Sequence, residues 1–403
     1  MKPSTKIILI CIVIILLPVI VKLQMVIDPQ RAQFQPGRGV ASVVTEFGSN
    51  PVVLPSQFVF GTVIGFREVV AGLLWVRAND FFHTGNYDAI VPLSRMITWL
   101  DPHQLVVYSV GAWHLAYNFV DFEERADRRY LYPGMKFLLE GIQNNSELWD
   151  LYFEMGFTMY FLKVLNYDEA AYWLKQAQER GAPGRVQRCV AHALERAGRI
   201  DESIAQWKHC IADAKRRLKK NPNDPDASYD LAISKRNYDR IVIQQMERSK
   251  LANHPLAVNF EATFRRLGPK QFLISGHTNL PDGARVEVTL TDFGYKEPTL
   301  EEASWQVDPN QTLVYDTGIH GIVVRGGKFS REYDLSKDPK QYPLKASKYK
   351  LSIFFNPRNA ARDIQDIVGW SGEGIVVKNY PDNSVKGLRK IKKVIILKRE
   401  DII

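Results

Sequence analysis

Cysteine and histidine are scarce in this chain: three and eight among 403 residues. Cys11 sits inside an apolar run, which leaves Cys189 and Cys210 for the hydrophilic body. The histidines form no His-Glu-x-x-His and no Cys/His spacing of a zinc site, so no metal is expected. His83, His103 and His114 read as packing or surface residues. A phosphate loop is lacking as well. Gly321 to Phe329 comes nearest, but Lys328 is one place late and Phe329 stands where a magnesium-binding hydroxyl belongs. Around Ser371 the run Gly369-Trp370-Ser371-Gly372-Glu373 lacks the closing glycine of a nucleophile elbow. The chain is therefore read as non-enzymatic, with no catalytic residue and no cofactor.

What is present is the composition of a folded protein, 45% hydrophobic and 24% charged. Its length exceeds one ordinary domain of ~100–200 residues. The net charge is +9, with Lys and Arg clustered at 215–220 and again from Lys386 to Arg399. Each cluster suits either an acidic partner, anionic polymer or lipid, or simply a solvated helix end and an exposed strand. Nucleic acid is not an expected partner.

Residues 7–21 are apolar and uncharged between Lys6 and Lys22, and the pattern continues through Leu23, Met25, Val26 and Ile27. With Lys22 snorkelling, the run approaches the ~20 residues that cross a bilayer. Val-Lys-Leu-Gln-Met follows it without the small residues that a cleaved signal peptide needs. The expectation is a signal-anchor transmembrane helix in residues 1–27, an extended spacer at 28–60, and a single-pass bacterial inner-membrane protein with its bulk outside the cytoplasm.

Asn166-Tyr167-Asp168-Glu169-Ala170 returns as Gly198-Arg199-Ile200-Asp201-Glu202, and is foreshadowed by Gly85-Asn86-Tyr87-Asp88-Ala89. The later spacing is close to the ~34-residue period of a helix–turn–helix repeat. The earlier one fits two such units plus roughly a dozen inserted residues. Ala78, Phe81, Gly85, Tyr87, Ile90, Ile97 and Pro102 fall where tetratricopeptide repeats put small, aromatic, Gly, aromatic, small, small and Pro residues. The segment 61–250 thus resembles a tetratricopeptide α-solenoid of about four units, closed by a helix that Asp224 caps and Pro225 begins. Cys189 and Cys210 would lie on the two antiparallel helices of one unit. A disulfide is conceivable there, although small apolar residues wanted where helices touch favour two buried thiols.

After His254 the apolar period becomes two, at Phe272 and Ile274, at Val286, Val288 and Leu290, and in several later short runs. Turn signals at Pro281-Asp282-Gly283, Gly326-Gly327 and Asn356-Pro357 separate them. Residues 255–403 are read as an all-β sandwich that resembles the immunoglobulin-like modules of bacterial surface proteins, folding separately from the helices. The whole arrangement resembles membrane-anchored bacterial repeat proteins.

The resemblance to tetratricopeptide arrays implies a groove lined by the first helix of each unit. That face offers Trp75, Asn79, Phe82 and His83 in the first unit, and Arg185, Arg188, His192 and Arg196 in the fourth. Arginines on one face suit carboxylates or phosphates. The implied function is a scaffold for protein partners, acidic ones among them, in an envelope assembly of the secretion, pilus or polysaccharide-export kind. The alternative is an envelope protein that holds anionic wall glycan through the β part and its basic tail.

Overall fold

A computed structural model of the protein describes residues 66–83, 90–118, 130–303, 313–316, 320–336 and 344–403. It divides into two compact units. One takes in the described residues up to Gly111 together with Glu140–Ser146; the other holds Ala112–Leu139 and Glu147–Ile403.

In the first unit, α1 (Arg67–His83) and α2 (Ile90–Leu100) bury Val70, Ala71, Leu74 and Ala78 and Ile90, Leu93, Met96, Ile97 and Leu100. Arg67 donates to the Trp99 carbonyl at 3.2 Å. The chain then turns at Asp101-Pro102 into α3 (Leu105–Trp113). Asn145, which is buried, ties this turn down: its amide donates to the Pro102 carbonyl at 2.9 Å and its Oδ1 meets His103 Nδ1 at 3.0 Å. The outer face of α1, with Val69, Leu73 and Val76, is exposed.

In the second unit, α4 (Leu131–Asn144) contributes its first two turns. A β-carbon on Gly134 would lie 3.1 Å from both the Ala112 carbonyl and Leu115 Cβ, so glycine lets these backbones approach. The short α5 (Asp150–Phe153) runs on as a π-helix from Glu154 to Val164, ended by Leu165 in the left-handed region at φ 61°. Phe153, Phe157 and Phe161 stack in sequence along it, with centroids 5.3 and 5.5 Å apart. Asn166 then caps α6 (Tyr167–Glu179) by accepting from Glu169 N at 3.2 Å. Next come α7 (Gly184–Arg196) and α8 (Ile200–Lys220), joined through Gly198 at φ 76°. Tyr167 and Ile200, the recurring positions, each begin the second helix of a pair. The long α9 (Pro225–Leu251) follows, with Asp224 accepting from Ala227 N at 3.0 Å.

The strands are β1 (Leu256–Val258), β2 (Phe260–Gly268), β3 (Gln271–Thr278), β4 (Arg285–Asp292), β5 (Leu313–Asp316), β6 (Ile322–Val323), β7 (Lys328–Asp334), β8 (Lys348–Phe355), β9 (Ile375–Val377), β10 (Pro381–Asp382) and β11 (Lys390–Lys398). One antiparallel sheet is ordered β2-β3-β7; a larger one runs β10-β11-β8-β4-β5, with β6 also on β4. They share one apolar core, in which Phe260, Phe272 and Phe329 of the small sheet join Val288, Leu351, Ile353 and Ile391 of the large one. Adding apolar surface to such a core is the main favourable term in folding.

Two expectations are corrected here. The proposed membrane helix lies outside the described residues, and among those described no helix is long and apolar enough to cross a membrane. The transmembrane element of the fold class and the single-pass inner-membrane placement are therefore withdrawn. The C-terminal part is also not all-β: α10 (Arg362–Val368) packs into its core through Ile364 and Val368, and β1 pairs with β9 in parallel.

Helices and sheets of the second unit are joined by an apolar cluster of Ala191, Trp207, Ile241 and Trp370. Around it Arg196 donates to the carbonyls of Arg358 and Ala360 at 2.9 and 2.7 Å. Cys189 and Cys210 are free thiols, and burial pushes them up to about 11 and about 12 respectively.

Candidate functional site

The first turn of α7, the last turns of α8 and the start of α9 enclose a cavity of about 890 Å³, whose lining includes Arg185, Arg188, His209, Arg216, Arg217 and Tyr229. Its inner wall is a chain of ion pairs. Asp230 on α9 meets both Arg188 and Arg217, and Arg217 Nε continues to Asp213 at 3.0 Å, where Arg216 also arrives. Asp213 and Asp230 are each 8% exposed, and each is met by two guanidiniums in place of the lost water. Gly184 is required beside them, since a β-carbon there would overlap the Asp230 carboxylate.

The rim has a different character. Arg185 lies over the Trp149 ring at 5.8 Å and has no carboxylate partner among the described residues. Arg216 is 63% exposed and Tyr229 is 61% exposed. The rim therefore offers the guanidinium of Arg185, the outer side of Arg216 and an aromatic edge, while the wall behind is already neutralised.

Arg185 and Arg188 are thus brought together, with Arg188 committed to Asp230. His192, farther along α7, packs edge-on to Trp207 with centroids 4.9 Å apart. Arg196 ends the helix bound to carbonyls of the β part. Between these two, Glu195 is held by Arg240 at 2.8 and 2.7 Å. Burial alone would raise its carboxyl; the nearby His192 ring and the hydrogen bonds and charge of Arg240 outweigh it and hold it well below the usual range. Trp75, Asn79, Phe82 and His83 lie on α1 in the other unit, with Asn79 and His83 exposed and Trp75 and Phe82 half-buried. Phe82 and His83 meet edge to face at 5.5 Å.

Sequence reasoning missed Asp213, Arg216, Arg217, Tyr229 and Asp230 as cavity residues. The signal was partly there, because Arg216 and Arg217 belong to the basic run at 215–220, which reads equally well as a solvated helix end. Among the described residues no group of three or more His, Cys, Asp or Glu side chains is arranged to hold a metal ion.

No family model and no curated protein matches the chain. Among solved structures, the chain is similar to a thermophilic tetratricopeptide-repeat protein of Thermus thermophilus, with 20% identity over 44% of this chain and 95% of that one and a TM-score of 0.28. The repeat reading itself rests on the helix pairs α5–α6 and α7–α8 and on their closing helix α9.

Proposed function

We propose that the chain is a non-enzymatic scaffold that holds protein partners through its helical repeats, an acidic segment of the partner entering the cavity between α7, α8 and α9. The observation that carries this reading is the division of labour among its arginines. Arg188, Arg217 and Arg216 are paired with buried aspartates, whereas Arg185 stands without a carboxylate partner among the described residues at an open rim beside Tyr229. A rim of this kind recognises carboxylates by bidentate hydrogen bonds and an aromatic contact. Stacked helix pairs supply the concave surface that such recognition needs. Trp75, Asn79, Phe82 and His83 on α1 form a second proposed contact face.

The test is co-purification with the tagged full-length chain from its source cells, compared with Arg185→Glu. Arg185 is exposed and has no carboxylate partner among the described residues, so the variant keeps its fold while the charge at the rim is reversed. A partner enriched by the native chain and lost with the variant supports the reading. An identical set of proteins with both would contradict it.

A further inference from the structure

A second cavity, of about 400 Å³, opens on the outer face of the large sheet, away from its apolar core. Its floor is built by register. β4 and β8 pair Glu287 with Phe354, Thr289 with Ser352 and Thr291 with Lys350, and β11 adds Lys392 opposite Phe354. Side chains two apart on a strand share a face, so these residues make one polar surface with Phe354 in it. Val164 and Leu165, at the end of the π-helix, wall it on one side.

Its polar groups are unequally satisfied. Glu287 is 4% exposed and accepts both its hydrogen bonds at 2.9 Å from the Asn359 amide nitrogen. That pairing fixes the amide, because only its nitrogen can donate to a carboxylate, and it leaves the buried Asn359 Oδ1 without a donor. Thr291 is 6% exposed, and its hydroxyl has no partner among the described residues. Glu297, also at the cavity, accepts from Tyr132. Lys390 is paired with Asp382 at 3.4 Å, but Lys350 and Lys392 have neither ion pair nor hydrogen bond among the described residues. An unmade hydrogen bond on a buried group costs about 1–3 kcal/mol, and a ligand that supplies the missing partner recovers it.

We propose that this cavity binds a short acidic saccharide, a carboxylate meeting the ammonium of Lys350 or Lys392 and the sugar hydroxyls meeting Thr291 and Asn359. The two free ammoniums require an anion, and the cavity's own carboxylates are already engaged. Asn359 Oδ1 requires a donor, which a carboxylate alone does not supply and a sugar hydroxyl does. Half-buried Phe354 gives the carbon face of a sugar ring an apolar surface. Burial lowers the pKa of Lys392 and sharpens its demand for a counter-charge. The volume suits one or two sugar rings and not a folded protein segment. This site is independent of the arginine rim, and neither proposal depends on the other.

The test is titration calorimetry of the full-length chain with trigalacturonate, with its neutral counterpart galactotriose, and with hexaglutamate and inorganic phosphate. Saturable binding of trigalacturonate is expected, about tenfold or more tighter than of the other three probes. Lys350→Gln/Lys392→Gln should weaken it by about tenfold or more, and the isosteric Thr291→Val by severalfold. Lys350→Gln alone, at a half-exposed position, serves if the double variant does not fold. Absence of binding, equal affinity for hexaglutamate or phosphate, or indifference to Lys350→Gln and Thr291→Val would overturn the proposal.

Discussion

The guanidinium carbon of Arg248 sits over the indole of Trp370, 3.3 Å from the ring centroid, with one nitrogen reaching Asp366 at 3.2 Å. This contact fastens the end of α9 to the loop that follows α10. Burial lowers the Arg248 pKa, and the pairing with Asp366 opposes that shift. Trp370 is 3% exposed and continues into the cluster with Trp207 and Ile241. Trp370→Ala should therefore destabilise the second unit by about 3–5 kcal/mol. Urea unfolding followed by far-ultraviolet ellipticity at helix and strand wavelengths should show both signals shifting together. Two separate transitions, only one of them moved, would show that helices and sheets unfold independently.

Asp230 is the hinge of the cavity wall. Removing it by Asp230→Ala strands the largely buried Arg188 and leaves Arg217 only Asp213, at a penalty of about 3–5 kcal/mol. Replacing the exposed Arg216 by Gln should change stability by less than about 1 kcal/mol. Equal melting temperatures for Asp230→Ala and the native chain would refute the buried network.

Glycine crossings separate sharply. A β-carbon on Gly156 would lie 2.9 Å from both Leu174 Cγ and its backbone nitrogen, whereas one on Gly72 meets nothing within 4 Å. Gly156→Ala should lose about 1–3 kcal/mol by overpacking, and Gly72→Ala should gain about 0.5–1 kcal/mol from helix propensity. Opposite signs in thermal melts are the expected outcome; the same sign in both would count against the packing described for α5 and α6.

Glu195 supplies the pH dependence. Its folded pKa is depressed, so the folded state binds fewer protons than the unfolded one as pH falls. The stability it confers is fully present above the unfolded value of about 4.3 and is lost progressively as pH drops below it toward the lower folded value. The stability difference between the native chain and Glu195→Gln should be constant from about pH 8 to 6 and shrink below about pH 4. A difference that grows on acidification would reverse the assignment.

The helical repeats were legible because their cause is local. Asn166 and Gly198 stop one helix and launch the next, and buried Ala170, Ala191 and Leu174 mark the packed faces. The strands with clean alternation, such as Val286, Val288 and Leu290, were equally plain. β2 and β7 were not, because Arg265, Arg266 and Arg331 interrupt their apolar rows. Nor did alternation reveal that Glu287 is buried, since the cover on the outer sheet face comes from Val164 and Leu165, over a hundred residues earlier. The partners of the arginines were illegible for the same reason. Nothing near Arg196 in sequence says that it binds the Arg358 and Ala360 carbonyls, and nothing near Arg188 points to Asp230. Spacing reports the face a side chain occupies; only the fold reports what that face meets.

The central claim, that the cavity of α7–α9 receives a protein partner, is most directly tested by placing a photo-reactive residue at Tyr229 on its rim. The control position is Tyr172 on α6, comparably exposed at 54% and outside the cavity lining. Irradiation in cells should give a discrete adduct with another protein from position 229 and none from position 172. Equal adducts from both positions, or none from 229, would contradict the account.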